Sequence, residues 1–111
     1  MITHIVFWKL IDDETHNSKD NAARIKRELE ALVGVVPGLL TAEVGEGLDP
    51  SGEYNLGLLS TFESREALKA YRTHPAHVKV ADFVHTAICK RTALDFESDN
   101  QMDAPIDPYV F

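Results

Sequence analysis

The chemistry open to this chain lies mainly in its histidines, because imidazole is the side chain whose ordinary pKa puts proton exchange near neutrality. There are five: His4, His16, His74, His77 and His85. The run His74-Pro75-Ala76-His77 sets two of them three residues apart at a helix start, where the fixed φ of proline suits the first turn. Two readings of the pair stand side by side. In one, His74 caps the helix and His77 is a first-turn residue. In the other, low dielectric and nearby amides keep an imidazole neutral near pH 7, ready to accept a proton. His4 shares one face of an apolar segment with Val6, Trp8 and Leu10, a place that suits a satisfied core residue or a functional one. His16, at a polar helix entrance, reads as surface, and His85, near a helix end, as a complement to the helix dipole.

The same side chains could hold a metal. His74 and His77 at i, i+3, with His4 and an oxygen from Asp82 or Glu43, make a conceivable ligand set. The HExxH spacing is absent, and the reading assigns neither a metal nor a cofactor. Cys89 is the only cysteine, which excludes a disulfide within the chain and a multi-cysteine zinc site; it reads as a packing residue. The glycines form no phosphate loop, and Ser60 and Ser64 lack a nucleophile elbow. Tyr71 and Trp8 are aromatics that could line a ligand cavity or simply fill a core.

These residues need elements to position them. Residues 2–11 read as a strand, with Ile2, His4, Val6, Trp8 and Leu10 on one face and Thr3, Ile5, Phe7, Lys9 and Ile11 on the other. Ala22, Ile25, Leu29, Leu32 and Val36 trace one helical stripe, capped by Ser18 or Asn21 and ended by Gly34 and Pro37-Gly38. Residues 39–48 predict a second strand, weakened by Gly45 and Gly47, and residues 54–62 a third, with Tyr54, Leu56, Leu58, Ser60 and Phe62 on one face. Ser64 caps a helix that Pro75 stops near Thr73. A further helix over 76–85 buries Val80, Ala81 and Val84, and residues 86–96 form the last strand.

The order is βαββαβ, an α+β ferredoxin-like subunit. Helices cover only one face of such a sheet, yet the first strand is apolar on both. A second copy packed sheet to sheet resolves this, so a homodimer is expected. At 111 residues the chain is one domain with a modest core. Its formal charge of −7 gives no basic footprint for nucleic acid. No apolar run is long enough to span a membrane and the start lacks a signal-peptide pattern, so a cytoplasmic protein is expected. Residues 97–111 hold four acids and no base, an acidic tail set apart from a domain over 1–96. Its end, from Ala104 to Phe111, carries enough apolar surface to dock on the body or its mate.

Several separated pieces share one pattern: Thr3 through Leu10, Val36-Pro37-Gly38-Leu39 with Glu43-Val44-Gly45, Phe62-Glu63-Ser64 through Tyr71, His74-Pro75-Ala76-His77 with Asp82, and Leu94-Asp95-Phe96. Together they resemble the stress-responsive A/B barrel domain (Dabb) family of the dimeric α+β barrels. The resemblance implies a ferredoxin-like subunit whose sheet joins its mate's in a shared barrel. Its members include proteins of no assigned role, stress-induced plant proteins, and a plant polyketide cyclase that closes its substrate by aldol condensation without a cofactor. Carried over from that cyclase, His77 is the base, Tyr71 its assistant and His4 the first-strand pocket histidine. Val6, Trp8 and His74 would contact substrate. Ala22 and Ala23 depart from the aromatics the cyclase has in that region.

The expectation is therefore a cofactor-independent cyclase or isomerase acting on a small carbonyl compound through a histidine base. A non-catalytic, stress-associated ligand-binding or structural dimer is the alternative from another class, and a cofactor-free monooxygenase a third. A closed core that denies access to His77 would favour the non-catalytic dimer.

Overall fold

Alternation along the first strand decides which side of the sheet becomes core. The computed structural model of the chain describes residues 1–98. Its elements are β1 (Ile2–Leu10), α1 (Ser18–Glu30), β2 (Leu39–Glu46), β3 (Leu56–Phe62), α2 (Arg65–Thr73), α3 (Pro75–Ala87) and β4 (Ile88–Glu97). The antiparallel sheet runs β2-β3-β1-β4. This is the expected ferredoxin-like α+β arrangement. Among the described residues no helix is long and apolar enough to cross a membrane.

Ile2, His4, Val6, Trp8 and Leu10 all point under the helices and are buried. Opposite them β3 contributes Phe62, Ser60, Leu58 and Leu56 in register. Ile25 and Leu29 of α1, Leu68 and Tyr71 of α2, and Val80 and Val84 of α3 close over this layer.

The first helix ends before its apolar stripe does. α1 stops at Glu30, and a run of turns carries Leu32 and Val36 into the core. Gly34, at φ +87, breaks the helix while the spacing continues, since a turn can stay on the same apolar surface. The cap is Asn17 rather than Ser18 or Asn21: its side chain accepts from the Asp20 amide at 3.1 Å. At Gly38, φ +82, a Cβ would lie 2.5 Å from that of Ala67, so only glycine lets the chain enter β2 beneath α2. α1 also guards the outer edge of β2. Lys26 donates to the Val44 carbonyl at 2.8 Å, and Glu30 accepts the Val44 amide at 2.9 Å.

Other differences follow from chain direction. Tyr54 precedes β3, and its ring packs against Phe7 on the open face instead of joining Leu56 and Leu58. Cys89 is exposed, because β4 is an edge strand with little above it. His16 is half-buried, its Nε2 3.1 Å from the Thr86 carbonyl at the end of α3 and its Nδ1 2.8 Å from Asp13. That contact holds the Asp13 carboxyl at about 2.

The second face of the sheet carries no helix. Phe7, Leu59, Leu94 and Phe96 are each about half exposed or more. Ile5, Phe7, Tyr54 and Leu59 line a broad trough of about 590 Å³ there. Glu43 lies on its rim, on the opposite side of the sheet from His4, and so cannot share a metal with it. The proposed tail falls largely outside the described residues: β4 continues through Glu97, and the Ser98 amide donates to the Met1 carbonyl at 3.0 Å.

Candidate functional site

A cavity of about 390 Å³ opens between the helix side of the sheet and α2 and α3. It is smaller than the trough, but its lining includes His4, His77 and His85, whereas the trough holds none of the histidines. Val6, Trp8 and Leu58 form apolar wall, and His4, Tyr71 and His77 bring polar groups to it. Five of the six residues singled out in the sequence line this cavity: His4, Val6, Trp8, Tyr71 and His77. His74 does not. Its Nδ1 accepts the Ala76 amide at 3.1 Å and so caps α3, which commits the ring to the backbone.

Local structure places the pair Tyr71 and His77. α2 ends at Thr73 because Pro75 follows, and His74 turns the chain in an extended conformation. The reversal lays the first turn of α3 beside the last turn of α2. The rings of Tyr71 and His77 meet with centroids 4.0 Å apart, and Phe62 packs edge-on against Tyr71 at 4.9 Å.

The two groups are tuned in ways that follow from this packing. Burial pushes the Tyr71 phenol up to about 12, so it stays a hydrogen-bond donor throughout the neutral range. The His77 pKa is lowered, chiefly by burial, with smaller contributions from His4, His85 and Arg91. Its Nδ1 lies 3.4 Å from the Arg72 carbonyl. A carbonyl only accepts, so Nδ1–H donates and Nε2 keeps its lone pair for an incoming proton.

His4 is held differently. Its Nδ1 meets an Asp95 carboxylate oxygen, and the other Asp95 oxygen accepts from Arg72 Nη2 at 2.7 Å. The pairing is cross-strand, since β1 and β4 place His4 directly opposite Asp95. Arg72 therefore touches both systems, with its carbonyl on His77 and its guanidinium on Asp95. Asp95 and Arg72 carried no assigned role in the sequence reading, nor did Arg91, which also lines the cavity. The signal for Asp95 was present only in the pairing of two strands 91 residues apart in sequence. Asp82 and His85 lie on the lining, but no three His, Cys, Asp or Glu side chains gather closely enough for a metal among the described residues.

Residues 2–98 match the family described as the Stress responsive A/B Barrel Domain. Among solved structures, a dimeric ferredoxin-like protein from Bacteroides fragilis is 31% identical, with TM-score 0.78, covering 87% of this chain and 95% of its own. A Dabb family protein from Mesorhizobium loti is 21% identical, with TM-score 0.69 and coverage of 89% and 97%. A hydroxynitrile lyase from Passiflora edulis is 19% identical, with TM-score 0.76 and coverage of 89% and 94%. At those lower identities the last two show the fold alone. Comparison with curated proteins finds no match.

Proposed function

For a chain that belongs to the stress-responsive A/B barrel domain family, we propose a cofactor-independent acid–base enzyme of cyclase or isomerase type, acting as a homodimer on a small carbonyl compound. One observation carries the reading. The rings of His77 and Tyr71 meet on a shared cavity, with the His77 Nδ1 committed to the backbone.

The step begins with Nε2 of His77 taking a proton from the carbon next to the substrate carbonyl. The electron pair of that C–H bond moves into the enolate, and the Tyr71 hydroxyl donates to the developing oxyanion. The enolate carbon then attacks a second carbonyl, closing a ring, and the protonated His77 returns its proton to the alkoxide formed there. Alternatively, the protonated His77 returns the proton to a different atom of the enolate, giving an isomer. His4, oriented by Asp95, positions the substrate or a water with the nitrogen that Asp95 leaves free. Val6 and Trp8 exclude water from the reacting carbon.

Hydrogen–deuterium exchange at the carbons flanking the ketone of methyl 4-oxopentanoate, followed by NMR in D₂O, tests this. The protein should accelerate exchange over buffer. His77→Gln should abolish the acceleration while the fold, read by amide spectra, persists. Exchange that is unchanged in His77→Gln would remove His77 as the base.

A further inference from the structure

β4 brings one more charged side chain to this cavity. In the β1–β4 register Asp95 faces His4, Ala93 faces Val6 and Arg91 faces Trp8, so all three β4 residues share the helix side of the sheet. Asp95 is taken up by His4 and Arg72. Of the two arginines on the lining, Arg72 is thus neutralised, and Arg91 has no acidic partner within 4.0 Å among the described residues. Asp82, the acid on the lining, stands on α3 beyond that distance from it.

The geometry points to Arg91 as the anion subsite of this cavity, so that the substrate is a ketone carrying a carboxylate. The inference rests on reading the cavity as a substrate site. A guanidinium presents parallel N–H donors that match a carboxylate, and Arg91, exposed on the edge strand β4, offers them at the rim of the apolar wall. The carboxylate on Arg91 and the ketone at Tyr71 and His77 fix the substrate at two points, which orients the carbon between them toward the base. Occupancy also acts on the base itself. Arg91 contributes to the lowered proton affinity of His77, and a bound carboxylate cancels that field, so His77 becomes the stronger base when the right substrate is present.

The test compares 4-oxopentanoate with its methyl ester, in which one added methyl group removes the charge. Binding is read from the indole NMR signal of Trp8, the single tryptophan, which lines the cavity. The carboxylate should bind about tenfold more tightly than the ester. Arg91→Gln should erase the difference, and Arg91→Lys should restore part of it. Equal binding of the two probes, no binding of either, or a preference that survives in Arg91→Gln overturns the assignment. Because binding is read without turnover, a preference with no exchange in either probe defeats the catalytic reading and leaves this one standing. Exchange without the preference does the reverse.

Discussion

His4 and His77 differ in what their Nδ1 atoms face, and that sets their work in the proposed reaction. Burial favours the uncharged form of His77 and the backbone carbonyl at its Nδ1 leaves Nε2 as the basic nitrogen, whereas the Asp95 carboxylate at Nδ1 of His4 fixes the orientation of that ring. Tyr71→Phe removes the oxyanion donor while keeping the ring that packs on Phe62 and His77. It should lower the exchange rate by roughly a hundredfold or more with the fold intact, as measured by NMR exchange and thermal melting. His77 and Tyr71 were singled out through the family resemblance that the local HPAH run and the tyrosine before it carry, while spacing alone left both readings of His77 open. The capping role of His74 and the hold of Asp95 on His4 were not separable in the same way. One depends on which way a ring turns at a helix start, the other on strand register.

At the scale of elements, the spacing of apolar residues gave the helix faces and the strand alternation, but not where each element stops. The stripe through Ala22, Ile25, Leu29, Leu32 and Val36 runs past the end of α1, since turns and helices bury the same residues. Caps and tight crossings decide the ends. Asn17→Ala should cost about 1 kcal/mol in chemical denaturation, the usual loss for an N-cap acceptor. Gly38→Ala should cost more, because it combines a left-handed φ with a 2.5 Å approach to Ala67. Gly34→Ala shares the backbone strain but meets open space, so it should be the milder of the two.

At the scale of the molecule, the two-sided apolarity of β1 was readable from the first eleven residues, and the uncovered face with Phe7, Leu59, Leu94 and Phe96 is its structural form. Covering that face with a second copy is the proposed resolution. Leu59→Glu, which sets a charge in the middle of the patch, should shift sedimentation from dimer to monomer without unfolding the subunit. A wild-type chain that sediments as a monomer at micromolar concentration would contradict the dimer. The chain as a whole is acidic, yet both arginines of the cavity lie on its lining, so the total charge says little about the substrate.

The central claim is that an uncharged His77 takes the proton, and the pH dependence of the exchange rate of methyl 4-oxopentanoate tests it most directly, since that probe has no charge of its own to titrate. A base works only when deprotonated, and burial lowers the pKa of His77 from 6.5. The rate should therefore rise with pH through a midpoint below 6.5 and then hold level, because Tyr71 keeps its proton until about 12. The rise should vanish in His77→Gln. A midpoint above 6.5, or the same profile in that variant, would contradict the account.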